Sequence, residues 1–99
     1  MIPELRPFLD ERGRLTSLPA KRKKQLMAVW YLADKLEAGR DYTQDELGDA
    51  LDAWTTFHDP AALRRSLVDL GLATRARDGS VYRRAEELPT LEQFLGNNL

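Results

Sequence analysis

The sequence contains no cysteine, which excludes disulfides, thiolate metal sites and cysteine nucleophiles. It contains a single histidine, His58, which cannot assemble a metal cluster alone. Nothing in it approaches the roughly 18 consecutive apolar residues that signal a membrane span. Met1-Ile2-Pro3-Glu4-Leu5-Arg6-Pro7 lacks the basic start and apolar run of a secretory leader, so a cytoplasmic address is expected. There is no glycine-rich phosphate loop and no nucleophile elbow. His58 has no nucleophile or carboxylate at a recognisable catalytic spacing. An enzyme is therefore not expected, nor a cofactor or a metal.

What remains is a polar chain with uneven charge. Ninety-nine residues make one domain, long enough to bury roughly 60–70% of the surface the unfolded chain exposes. Fifteen Lys and Arg stand against sixteen Asp and Glu, a net charge of −1, which as a total argues against a polyanionic partner. The distribution argues the other way. Residues 12–24 carry Arg12, Arg14, Lys21, Arg22, Lys23 and Lys24 with no acid, a balance of +6. Residues 60–84 carry six arginines and two aspartates, +4, while residues 34–59 carry eight acids against Lys35 and Arg40, −6. Local fields attract a polyanion more than the total does; the plain alternative is a mixed, solvated surface.

Residues 1–19 read as an extended N-terminal segment, because Pro3, Pro7 and Pro19 discourage helix and Asp10-Glu11-Arg12-Gly13 is turn-like. A short edge strand is expected at Arg14–Leu18. A helix follows from about Ala20 to Glu37, with Leu26, Val29, Trp30, Ala33 and Leu36 on one stripe and Gly39 after its end. Residues 26–33 are apolar nearly all round, as in a central helix. After a short strand near Tyr42, Thr43 and Glu46 have capping-box spacing and open a second helix. Leu47, Ala50, Leu51 and Trp54 share its buried face; Asp45, Asp49 and Asp52 form a solvated acidic side without a calcium loop.

The third helix runs from Asp59-Pro60 to Gly71. Asp59 is expected to cap it, Pro60 suits its first position, Leu63, Leu67 and Leu70 share one face, and Gly71 stops it. Asp78-Gly79 between two short runs predicts a two-residue hairpin loop, with Arg77 opposite Ser80 and Arg75 opposite Tyr82. Arg75, Arg77, Tyr82 and Arg84 then face one side, and Thr74, Ala76, Val81 and Arg83 the other. Residues 85–99 form a tail in which Thr90 and Gln93 open a short helix to about Leu95. Its Leu91, Phe94 and Leu95 either cover the core or meet a second subunit. The fold class is α+β, mostly helical: a winged helix-turn-helix-like domain over 20–84, with three helices, a β-hairpin wing and a short extra helix.

Three basic groups are candidates for nucleic-acid contact. Lys21, Arg22, Lys23 and Lys24 occupy the first turns of the first helix, where the macrodipole disfavours each cation by roughly 0.3–1 kcal/mol. A partner phosphate explains them; so does snorkelling into solvent. Arg64 and Arg65 are helix neighbours and cannot point the same way. One is placed to reach a guanine edge, the other to hold a phosphate or pair with an acid such as Asp49 or Asp69. Arg75, Arg77, Tyr82 and Arg84 mix cations with an aromatic, as nucleic-acid surfaces do, although a lone tyrosine is more often a half-buried packing residue. Trp30 is read as core and His58 as a turn residue with a structural hydrogen bond.

Phe8-Leu9-Asp10, Gly13-Arg14-Leu15, Pro19, Lys21 with Lys24, Leu63-Arg64-Arg65 with Leu67-Val68 and Gly71, and Gly79 with Tyr82 together resemble the DUF2087 family. The resemblance covers about residues 8–84 and leaves the tail outside. It implies a winged-helix-like fold and nucleic-acid binding, since such domains occur in small prokaryotic proteins and in transcriptional regulators. The expected function is double-stranded DNA binding by a transcriptional regulator or an accessory to one, with DNA ahead of RNA. A homodimer or a regulator protein is a further partner left open. The alternative is a protein–protein interaction module of winged-helix shape that touches no nucleic acid.

Overall fold

An uninterrupted apolar run, Leu26 to Ala33, sets the centre of the molecule. The computed structural model describes residues 2–99 and places helix α1 at Arg22–Lys35. Leu26, Met27, Ala28, Val29, Tyr31, Leu32 and Ala33 are buried along it. Burial on so many sides means that α1 has neighbours all round. Trp30 is half-buried, and its indole N–H donates to the Pro89 carbonyl at 3.0 Å.

Strand β1, Asp41–Tyr42, leads into helix α2, Gln44–Ala53. The expected capping box is formed: the Glu46 N–H donates to the Thr43 hydroxyl at 3.1 Å and the Thr43 N–H to the Glu46 carboxylate at 2.9 Å. Helix α3 spans Pro60–Asp69. Its C-terminus closes as a Schellman motif, with Leu72 N–H on Leu67 O at 2.9 Å and Gly71 N–H on Val68 O at 3.1 Å. Gly71 takes φ +73°, which any side chain would disfavour. At the other end the expectation fails: Asp59 occupies the N-cap position, yet its side chain makes no capping bond. The turn before it is made by His58 at φ +47°, and Asp59 itself lies at φ −126°, ψ 63°, outside the usual extended cap geometry.

Strands β2, Ala73–Arg75, and β3, Tyr82–Arg84, pair antiparallel, and β1 adds to the far edge of β3. Arg75 lies opposite Tyr82, the expected register. The loop is longer than expected. Gly79 N–H donates to Ala76 O at 2.8 Å and Ala76 N–H to Val81 O at 2.8 Å, so Arg77–Ser80 form a four-residue connection. A two-residue type I′ turn needs positive φ at both centres, and of Asp78 and Gly79 only the glycine has it.

The N-terminal segment is not extended. Pro3–Phe8 form a 3-10 helix that contains Pro3 and Pro7, with Pro3 in its first turn, where a missing N–H costs nothing. Leu5 and Leu15 are fully buried in the common core. The expected edge strand reduces to single bridges: Leu15 N–H donates to Trp54 O at 2.8 Å, and Thr56 N–H to Leu15 O at 2.9 Å. Helix α4, Leu91–Asn98, opens with the Thr90–Gln93 capping box and buries Phe94 against the core beside α1. Of the two roles open to it, α4 takes the covering one. Three helices, a three-stranded antiparallel sheet and a fourth helix give an α+β domain of winged-helix-like order.

Candidate nucleic-acid interface

Helix α3 positions the site. Leu63 and Leu67 face the core, leaving Ala61, Ala62, Arg65 and Asp69 exposed and Arg64, Ser66 and Val68 half-buried. Successive residues diverge by about 100° around a helix, so Arg64 and Arg65 separate as expected. Arg64 turns toward α2, where its Nη1 lies 3.2 Å from the position a β-carbon would take on Gly48. The glycine is a seat for the guanidinium. Arg65 is exposed, at the rim of the cleft that α3 forms with the wing.

The wing faces this helix. The Arg75 guanidinium lies over the Tyr82 ring, 5.8 Å from its centroid, and folds against Gly79, where a β-carbon would collide with it. Ala61, Arg64, Arg65, Val68, Asp69, Arg75 and Tyr82 line one cleft of about 330 Å³ between α3 and the hairpin. Arg64 and Arg65 of α3 therefore line the same cleft as Arg75 of the wing.

Two wing residues depart from expectation. Tyr82 is 6% exposed, because β1 and β2 flank β3 on both sides; its ring is the floor of the cleft, not a free stacking platform. Arg84 is consumed by the fold: its guanidinium donates to Leu36 O at 3.0 Å and Glu86 O at 3.2 Å, and its Nε to Ala85 O at 3.0 Å. Arg77 stays exposed in the loop. The acid beside it, Asp78, accepts from the Ser80 hydroxyl at 2.6 Å and the Ser80 N–H at 2.9 Å. Those bonds, the hydroxyl's first, hold its carboxyl below the ordinary value.

Lys21, Arg22 and Lys23 are exposed and Lys24 half-buried at an α1 N-terminus that has no side-chain cap and no acid in its first turn. Arg22 shares a second cavity, of about 130 Å³, with Gln25, Ser66 and Leu70. Ser66 and Leu70 lie on the flank of α3 opposite the wing cleft, so α3 has basic groups on both flanks. Among the described residues, ion pairs join Arg14 to Asp10, Arg40 to Glu37 and Glu46, and Arg83 to Asp41, and His58 lies beside Asp52. None takes in Lys21 to Lys24, Arg64, Arg65, Arg75 or Arg77. The pairing of Arg64 or Arg65 with Asp49 or Asp69 is thus not formed. His58 Nδ1 lies 3.5 Å from Asp52 Oδ1, an oxygen that makes no hydrogen bond, so the expected structural bond of His58 is a loose contact.

Gly48, Val68 and Asp69 were not singled out as site residues by their sequence positions. Gly48 did carry a signal: a glycine inside a helix costs up to about 1 kcal/mol relative to alanine and so marks a close approach. Among the described residues no group of three or more acids or histidines is arranged to hold a metal ion, and no helix is long and apolar enough to cross a membrane.

Fold and cleft together define a small winged-helix-like domain with a cationic groove between its third helix and its wing. The chain belongs to the DUF2087 family, described as an uncharacterized protein conserved in bacteria, whose profile matches residues 14–84. The match begins after Phe8–Gly13, so those residues lie outside it. Neither a curated protein nor a solved structure matches the chain.

Proposed function

We propose that the protein binds double-stranded DNA in the bacterial cytoplasm, as a transcriptional regulator or an accessory to one, and catalyses no reaction. The observation that carries this reading is the convergence of Arg64, Arg65 and Arg75, none of them ion-paired among the described residues, beside the exposed side of α3. In this reading α3 enters the major groove, and small Ala61 and Ala62 allow its start to approach closely. Arg65, exposed at the rim, takes the guanine edge through a bidentate pair. Arg64 and Arg75 hold phosphates near it; Lys21 to Lys24 and Arg77 hold phosphates farther out. Two copies reading paired half-sites is the usual arrangement for such a helix.

The test is anisotropy titration of a labelled duplex at low and moderate salt. Six or more phosphate contacts weaken binding by roughly 10³–10⁵ between 50 and 200 mM salt. Arg65→Ala is expected to relax sequence preference, and Lys23→Ala to weaken all duplexes alike and flatten the salt slope. No binding at tens of micromolar protein in low salt overturns the reading, and structured RNA outcompeting the duplex redirects it to RNA. The exposed acidic side chains of Asp45 and Asp49 on α2 favour a second reading, a module that docks its basic face on an acidic protein surface or on another copy. Salt-sensitive self-association by light scattering, with no duplex shift, supports that one.

A further inference from the structure

Guanidinium groups gathered without counter-ions repel one another, and more strongly against a protein wall than in water. Arg64, Arg65 and Arg75 are nevertheless held at one cleft with no carboxylate in salt-bridge range among the described residues. Two of the three are seated: Arg64 over Gly48, and Arg75 over Gly79 and the Tyr82 ring. A guanidinium presents a planar fork, which matches the oxygens of a phosphate better than an ammonium group does. The cleft's volume, about 330 Å³, falls at the small end of sites for organic ligands. Its walls are not uniformly basic. Val68 is apolar, and Asp69 lies one helical turn, about 6 Å along the axis, beyond Arg65. A free carboxylate there rejects a second anion and accepts from a hydroxyl or an amine.

We infer that this cleft binds a free phosphate monoester of nucleotide size. Its phosphate meets Arg64, Arg65 and Arg75, and a donor on its organic part points toward Asp69. A monoester carries close to two charges and three acceptor oxygens near neutral pH, against one charge for a backbone phosphodiester. The inference goes beyond duplex binding and does not need it. Because both ligands use the same arginines, a monoester would compete with DNA for the protein.

The experiment titrates the full chain with 5′-AMP, inorganic phosphate and adenosine at low salt, following backbone amide and arginine Nε–H resonances. AMP and phosphate are expected to shift Arg64, Arg65 and Arg75, AMP binding at least about fivefold tighter than phosphate, and adenosine to shift none of them. Arg64→Ala and Arg75→Ala each weaken AMP by about tenfold or more, the size expected for a charge-assisted bond. Arg6→Ala, in the N-terminal 3-10 helix away from the cleft, leaves it unchanged. Amide dispersion of each variant confirms folding, and Arg75→Lys, which keeps the charge and loses the fork, falls between. No arginine shift at millimolar AMP, equal shifts with adenosine, or equal affinity for phosphate and AMP each overturns the inference. AMP binding without duplex binding sustains it and overturns the DNA reading. Duplex binding without AMP shifts does the reverse and identifies the backbone as the source of the phosphate.

Discussion

Replacing Gly48 with alanine tests how tightly α2 and α3 are set against each other, and so whether Arg64 is held or merely rests. Gly48 is buried inside α2 with ordinary helical backbone, so alanine recovers up to about 1 kcal/mol of helix propensity. Against that, the new β-carbon lies 3.6 Å from Pro60 Cβ, normal contact, and 3.2 Å from Arg64 Nη1, slightly too close. The group that must yield is the end of a long side chain with no ion-pair partner among the described residues, so a shift of a few tenths of an ångström is inexpensive. The balance is a gain of about 0.5–1 kcal/mol, or about 2–8 °C in Tm for a domain this size. Gly71→Ala is the counterpart: nothing lies within 4 Å of its β-carbon, yet φ +73° makes it cost about 1 kcal/mol. Thermal and urea unfolding of both variants gives the signs directly. A loss at Gly48 of more than about 1 kcal/mol would refute the reasoning, because it would mean that Arg64 cannot move.

Two further outcomes follow from the fold. Phe94→Ala removes a side chain that is 2% exposed under α4 and is expected to cost about 3–5 kcal/mol in urea unfolding; a loss below about 1 kcal/mol would mean that α4 does not cover the core. The Asp10 carboxylate accepts from the N–H groups of Arg12 and Arg14 and from the Arg14 side chain, and these bonds, the Arg14 backbone's first, lower its pKa. A lowered carboxyl adds stability in full above its unfolded value, near 3.8, and loses it as pH falls through the folded one. Glu46, lowered chiefly by the Thr43 N–H, and Asp78 behave alike. Asp10→Asn should therefore lower the urea midpoint at pH 7 and shrink its drop between pH 7 and pH 3; an unchanged drop would remove Asp10 from the account.

What the sequence made legible was chemistry that acts within a few residues. Thr43 with Glu46, Thr90 with Gln93, Pro60 and Gly71 each marked a helix end correctly, because the groups they satisfy are local. The pairing of Arg75 with Tyr82 followed from alternation alone. Roles set by distant partners were not legible. Arg84 read as a surface cation because its acceptor, Leu36 O, lies 48 residues away and exists only after α1 and β3 meet. Tyr82 read both as a packing residue and as part of a nucleic-acid face, because nothing in the hairpin announces that β1 will cover the outer edge of β3. Asp59 failed as a cap because His58 turned the backbone first. In the candidate site, the arginines were legible as residues, and their meeting place was not.

The Arg84 clasp has a mechanical consequence. By tying the end of β3 to the carbonyl that closes α1, it roots the hairpin at its base, so the wing cannot swing as a free limb. The jaws on either side of the cleft are thereby set at one aperture before anything arrives. A visitor that fits loses little freedom on behalf of its host, and one that is too wide finds no hinge to accommodate it.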